Sequence, residues 1–328
     1  KIEYDFIPIM VSKVIFNDDI NAKEVFNYFK ILNSEDPLLN VTWIEEFEEI
    51  NVHIMGRIQT EILKEIVKER FNLDIEFGPC NILYKETIKE KAIGSGHFEP
   101  LRHYAEVHLL MELNNRDKGI TFENKCHSDN LNIGQMNLIK THVFEREHRG
   151  ILTGSPITDI KFTLLTGKAH LKHTSGGDFR EATYRAIRQG LEQVENILLE
   201  PYYRFKISAD IEYMGRIISD IQRLSGSFNV PEQNENKVVI QGRGPVSTFM
   251  DYSNEFNAFT KGKGSISLTY DGYDKCHNWE EVIESRGYNK DADIEYTSTS
   301  IFCSKGQGYL VKWDKVKEEV HCDLEGLI

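Results

Sequence analysis

Two stretches of the chain run through the same order of hydrophobic periods, and the stretch between them does not. Residues 1–16 alternate as a strand carrying Ile2, Tyr4 and Phe6, and residues 22–32 place Val25, Phe26 and Phe29 at helical spacing. Pro37 closes that unit. Residues 41–47 and 51–55 read as a hairpin, Ile58, Ile62, Ile66 and Val67 mark a second helix ending near Phe71, and residues 73–77 form a last strand. This βαββαβ order returns after Pro201: strand 202–207, helix 214–224, strands near Phe228 and over 238–242, helix 246–259, strand 265–270. Such an order predicts two ferredoxin-like split-βαβ domains.

The middle reads differently. It has a strand with Tyr84 and Ile88, a break at Gly94-Ser95-Gly96, and a long alternating strand through Tyr104, Val107, Leu109 and Met111. Residues 157–165 alternate again, Gly167 ends the run, and Lys168, His170, Lys172 and His173 follow before Gly176-Gly177. Asp178 stands where a helix N-cap belongs, and Ala182, Tyr184, Ala186, Ile187 and Leu191 then recur at helical spacing. A cationic loop is thereby held at the end of a strand–loop–helix unit. Past Asp271 the pattern weakens into a short helix over 278–287 and a charged final helix over 313–321, an extension expected to pack on another domain. The expected fold class is α+β, with domains over 1–81, 82–199 and 200–273 and the extension over 274–328.

Composition narrows the function. With 328 residues, 40% hydrophobic and 28% charged, the chain has enough material for several cores and reads as globular. Its net charge is -13, yet residues 161–190 hold six Lys or Arg against two Asp or Glu. A basic patch on an acidic chain points to a localised polyanion contact. No run of about 18 apolar residues exists for a membrane span, and Lys1-Ile2-Glu3-Tyr4-Asp5 lacks a signal-peptide layout, so the cytoplasm is the default location. Cys80, Cys126, Cys276, Cys303 and Cys322 are odd in number and far apart, which argues for reduced thiols. A strand-like start without an initiator methionine reads as a portion of something longer.

The order of these parts, together with Tyr84-Lys85-Glu86-Thr87, Gly154-Ser155-Pro156, Asp178-Phe179-Arg180 and Leu199-Glu200-Pro201, resembles the C-terminal half of elongation factor G. It looks closer still to the tetracycline-resistance ribosomal protection proteins of the same translational GTPase superfamily. The likeness spans Ile2 to about Tyr273 as that family's domains III, IV and V. It implies a ribosomal protein S5 domain 2-like mixed α/β middle domain between the two ferredoxin-like ones. It also implies a monomer whose partners are the ribosome, near the small subunit's decoding centre, and its own N-terminal GTPase domain. In that family three loops form the tip that meets rRNA. The resemblance places them at Glu99 with Pro100, Leu101, Arg102 and His103; at residues 122–127, including Lys125; and at His170, Leu171, Lys172, His173 and Thr174. His170 aligns with a tip histidine of elongation factor G, whereas ribosomal protection proteins carry a proline-containing tip. Gly56-Arg57-Ile58-Gln59-Thr60-Glu61 departs from the Gly-Glu-Leu-His-Leu-Glu of elongation factors. GTP and magnesium belong to the family's N-terminal domain. This chain has no G-x-x-x-x-G-K-[ST] motif, so no catalytic residue, cofactor or metal is expected within it, and residues 1–328 alone should not hydrolyse GTP.

The tip residues suit RNA: Lys172 offers a cation for phosphate, and His170 or His173 a flat face for an unstacked base. The plainer alternative is a solvated hairpin end. His170-x-x-His173 lacks further ligands for a metal, and Cys276, His277, Cys303, His321 and Cys322 fit no standard zinc spacing. They read better as free thiols and a helix-end histidine. A stand-alone hydrolase using His97, His103, His108, His142 or His148 with Asp159 or Glu99 is the competing class, but Ser155 lacks the second glycine of a nucleophile elbow. Lys261-Gly262-Lys263-Gly264 resembles a phosphate loop in composition, yet follows a helix and precedes a strand, the wrong order for one.

Overall fold

A computed structural model describes residues 7–327. The strand expected at Ile2, Tyr4 and Phe6 lies outside the described residues. The protein is α+β, and its contacts divide it into two units, residues 1–84 with 203–270 and residues 85–202 with 271–328. Among the described residues no helix is long and apolar enough to cross a membrane.

In the first unit, strand Met10–Ile15 is central, flanked by Glu49–Ile54 and Glu76–Phe77, with Thr42–Ile44 outside Glu49–Ile54. Helix Ala22–Glu35 starts on Asn21, whose side chain accepts from the Lys23 N–H, and buries Val25, Phe29 and Leu32. Helix Arg57–Phe71 forms as expected but buries Thr60, Leu63 and Val67. Ile58 and Ile62 face solvent at 80% and 51% exposure, so the isoleucine spacing named the wrong face. The second sheet of this unit has the same order of strands: Ser227–Phe228, Lys237–Pro245, Asn196–Asp210, Ser265–Lys275. Glu232–Asn234, which the sequence did not suggest, pairs with Lys237–Pro245. The helix expected over 246–259 is two, Val246–Phe249 and Tyr252–Thr260.

The second unit is built on six strands in the order Gln307–Val311, Ser300–Ser304, Ala92–Phe98, Ala105–Leu113, Ile160–Ala169, Ile120–Asn124. Helices Ile133–Phe144 and Gly176–Glu192 pack on it over Val107, Leu109, Met111, Phe162 and Leu164. Gly94-Ser95-Gly96 is not a break but the middle of a strand. A Cβ on Gly94 or Gly96 would collide with the carbonyl oxygen of Ala186 or Ala182 respectively. These glycines let helix backbone lie directly on strand backbone. Gly167 likewise lies inside Ile160–Ala169, beyond a bulge between Leu164 and Thr166, and its missing Cβ makes room for the Glu106 carbonyl and Leu131.

Past residue 271 the expected long final helix reduces to Val316–Glu319. Instead Ser300–Ser304 and Gln307–Val311 form a hairpin, turned by Lys305 and Gly306 at φ 51 and 79. Two consecutive positive φ values make the tight turn whose twist suits antiparallel strands. Ser300–Ser304 joins the edge of Ala92–Phe98 in parallel, so the extension belongs to the middle domain's sheet.

A buried glutamate ties two of the resemblance motifs together. The Glu86 carboxylate accepts the N–H groups of Leu152, Thr153 and Ser155 at 2.7, 3.0 and 2.9 Å. A Cβ on Gly150 would collide with Glu86 Oε1, so the loop at 150–156 is shaped around this one side chain.

Gly96→Ala should destabilise the second unit by about 1–3 kcal/mol or more in urea unfolding, because neither strand nor helix backbone can yield cheaply. Gly215→Ala, with no atom within 4 Å of the new Cβ, should cost nothing. His148 is buried and its Nε2–H donates to the Val143 carbonyl at 2.8 Å; burial pushes the imidazole from 6.5 down to about 4. The unfolded chain therefore binds this proton more tightly, and stability should fall by up to about 3 kcal/mol as pH drops from about 6.5 to 4. His148→Gln should flatten the pH dependence in that window; an unchanged slope would contradict the assignment.

Candidate nucleic-acid interface

Two of the three expected tip loops meet on a single carboxylate. Asp178, in the first turn of helix Gly176–Glu192, accepts His103 Nδ1 at 2.7 Å, the Tyr104 N–H at 3.2 Å and the Ser175 N–H at 2.8 Å. The N-cap is Ser175, not Asp178. Asp178 sits three residues on and reaches back, as the acidic member of a capping box does. Its side chain is 3% exposed, so these charge-assisted bonds are shielded from water.

The first loop turns between Pro100 and His103, where the His103 N–H donates to the Pro100 carbonyl at 2.9 Å. Arg102 holds φ 64 at the third position of this turn, a conformation glycine takes more readily. Leu101, Arg102 and His103 are exposed and Pro100 half-buried. The second loop is a single turn: the His170 carbonyl accepts the N–H groups of His173 and Thr174, and the His170 N–H donates to Thr174 Oγ1 at 2.7 Å. Thr174 Oγ1 in turn donates to the Tyr104 carbonyl at 2.6 Å, a second tie between the loops. His170 and His173 stack with ring centroids 4.5 Å apart, and Leu171 between them is fully exposed. Lys172 is exposed too.

The third loop does not join them at that point. Phe122, Glu123 and Asn124 complete a strand running parallel to Ile160–Ala169, and the Lys125 N–H donates to the Leu164 carbonyl at 2.9 Å. Lys125 is exposed but sits five or six residues back from His170, about 17 Å along an extended strand.

Charge concentrates at the tip because the rest of the basic patch is engaged elsewhere. Lys161 pairs with Glu123, Arg180 with Glu145 and Arg185 with Glu181. Arg188 is buried and donates to the carbonyls of Arg149 and Gly150. Among the described residues, Lys168 and Lys172 are the exposed cations of residues 161–190 that make no ion pair, and Arg102 and Lys125 are likewise unpaired. Exposed cations without carboxylate partners are available to phosphate at no cost of breaking a bridge.

The histidines of the hydrolase alternative do not converge with Ser155, and Ser95 Oγ, 2.8 Å from His108 Nδ1, is completely buried. His97 and His108 bond the buried Glu106, His103 bonds Asp178, His142 bonds Glu145 and His148 bonds a carbonyl. Ser155 is buried, its hydroxyl 2.6 Å from Thr153 Oγ1. The scattered thiols also part company: Cys276 and His277 gather at Glu200, whereas His321 and Cys322 meet Glu106.

Comparison with known proteins shows the family. The family model described as "Elongation factor G, domain IV" matches residues 80–195, and that described as "Elongation factor G C-terminus" matches residues 197–281. Elongation factor G of Aquifex pyrophilus is 26% identical over 297 residues, covering 85% of this chain and 42% of the relative. That of Granulibacter bethesdensis is 26% identical over 253 residues, covering 74% of this chain and 36% of the relative. A crystal structure of a protein from Thermus thermophilus superposes with a TM-score of 0.66 at 23% identity over 86% of this chain and 43% of that one, a likeness of fold. The chain spans less than half the length of each of these proteins. Residues 80–281 therefore belong to the elongation factor G family of translational GTPases, as its domain IV followed by its C-terminal domain.

Proposed function

We propose that this chain is the ribosome-binding portion of a translation factor, whose tip loops at 99–103 and 170–174 enter the small subunit and contact rRNA near the decoding centre. The observation that carries this reading is the group of unpaired, exposed cations, Arg102, Lys168 and Lys172, beside the stacked His170 and His173 on loops fastened to one buried carboxylate. Such a tip offers charge for phosphate and a ring face for a base, and its fixed shape lowers the ordering cost of binding. With the whole chain at -13, binding to arbitrary RNA is opposed, so the ribosomal pocket as a whole must supply the affinity. GTP hydrolysis would belong to a GTPase domain N-terminal to Lys1, with GTP and magnesium held there. The protein acts as a cytoplasmic monomer in this reading. Protection against tetracycline is the finer possibility: footprinting of ribosomes with and without the drug distinguishes displacement of the drug from another role in translation.

Lys172→Ala should weaken ribosome binding and lower the salt dependence by about 0.7–0.9 in the slope of log K against log salt, as loss of one phosphate contact does. Arg102→Gly should weaken binding while leaving stability unchanged or raised, since glycine relieves the positive φ. Unchanged affinity and slope in both variants would contradict the tip assignment.

A further inference from the structure

Directly beneath the first tip loop, His97, His108, His321 and Cys322, drawn from distant parts of the sequence, surround Glu106. Its carboxylate is completely buried. Oε1 accepts His97 Nδ1 at 2.8 Å and the His321 N–H at 2.8 Å; Oε2 accepts His108 Nε2 at 3.0 Å and the Cys322 N–H at 2.7 Å. We propose that Glu106, His108 and Cys322 form a binding site for a zinc-class divalent cation that locks the C-terminal segment onto the middle domain's sheet.

Donor chemistry selects the ion. The carboxylate oxygen, imidazole nitrogen and sulfur of these three residues lie within 4.8 Å of one another. Ligands at about 2.0–2.3 Å from a shared tetrahedral zinc stand about 3.3–3.7 Å apart, so side-chain torsions of modest size close the set. Sulfur with imidazole and a single carboxylate favours zinc over the all-oxygen sites of calcium or magnesium.

The surroundings have the organisation that orients metal ligands. His108 Nδ1 is 2.8 Å from Ser95 Oγ, which fixes the ring with Nε2 toward Glu106. His97 Nδ1 holds the opposite carboxylate oxygen, while His97 Nε2 is itself 2.8 Å from Glu99 and its ring stacks on Phe302 at 4.0 Å. His321 is tied to the Tyr104 hydroxyl at 2.7 Å. Two carboxylates, Glu99 and Glu106, thus converge on one imidazole, and among the described residues neither makes an ion pair with a Lys or Arg. Buried carboxylates are ordinarily paired with a cation or bound to a metal, and a divalent ion supplies that charge. On binding, the Cys322 thiol gives its proton to solvent and the sulfur coordinates as thiolate. His108 coordinates through an unprotonated Nε2, its one remaining proton on Nδ1 facing Ser95 Oγ and any second proton passing to solvent.

The test uses the 328-residue chain, freed of metal with a chelator and titrated with Co2+ as the probe, then displaced by Zn2+. One equivalent of Co2+ is expected, with thiolate-to-cobalt charge-transfer absorption and the intense visible bands of tetrahedral coordination. Cys322→Ser should abolish the charge-transfer band, and His108→Ala should weaken Zn2+ binding about tenfold or more. Because His108 is buried and its loss can disturb folding, circular dichroism accompanies each variant, and Cys322→Ser, which keeps size and polarity, is the deciding change. Absence of stoichiometric Co2+ binding at micromolar concentrations would overturn the proposal. So would a charge-transfer band that survives Cys322→Ser but disappears in Cys276→Ser, which would move the ion to the Glu200, Cys276 and His277 cluster.

Discussion

The close approach of helix Gly176–Glu192 to strand Ala92–Phe98 is the constraint on which the second unit depends. With hydrogen in place of a side chain at Gly94 and Gly96, the carbonyls of Ala186 and Ala182 come within the distance a Cβ would need. That contact fixes where the helix begins. Its first turn then presents Asp178 to the loop after Ala92–Phe98 on one side and to the loop after Ile160–Ala169 on the other. The tip inherits its shape from the core through one helix start, and a flexible pair of loops becomes a rigid one without a disulfide.

Rigid presentation matters because the binding groups are few. Of the six cations in residues 161–190, four are held in ion pairs or in bonds to carbonyls, and those act on the protein itself. Only Lys168 and Lys172 of that segment, joined by Arg102 from the neighbouring loop, are directed to a partner in this account. Net sequence charge overstated the patch in amount. What the fold adds is the subtraction: pairing with Glu123, Glu145 and Glu181 removes the helix and the far end of the strand from contention.

Helical and strand periods were legible wherever an element has one wet face, as in Ala22–Glu35 and Glu49–Ile54. The errors fall where backbone packing overrides side-chain pattern. Gly94, Gly96 and Gly167 read as punctuation because glycine usually breaks a strand, and only the helix above them, or the carbonyl beside them, explains why glycine is required there. Ile58 and Ile62 matched a helical stripe, yet of that stripe Val67 is buried, and Thr60 and Leu63 complete the buried face. The hairpin at 300–311 was missed because Lys305-Gly306 is a weak turn signal and each strand has five residues. The Glu106 cluster was legible only in its pieces: Glu106 and His108 stand two apart on one strand with His97 across from Glu106, but His321 and Cys322 reach them from more than two hundred residues away. By contrast the tip loops were named from family motifs before any geometry; Leu101, Arg102, His103 and residues 170–173 are exposed, Pro100 and Thr174 are half-buried, and Lys125 stands apart.

The central claim is that this frame delivers the 170–174 loop into small-subunit rRNA. Directed hydroxyl-radical probing tests it most directly, with an iron chelate tethered through Lys172→Cys and the protein bound to ribosomes. The account predicts strand cleavage confined to a short set of small-subunit nucleotides around the decoding centre, absent when the tether is moved to the Lys305 turn. Cleavage spread over the ribosomal surface, or the same pattern from both tethers, would contradict it.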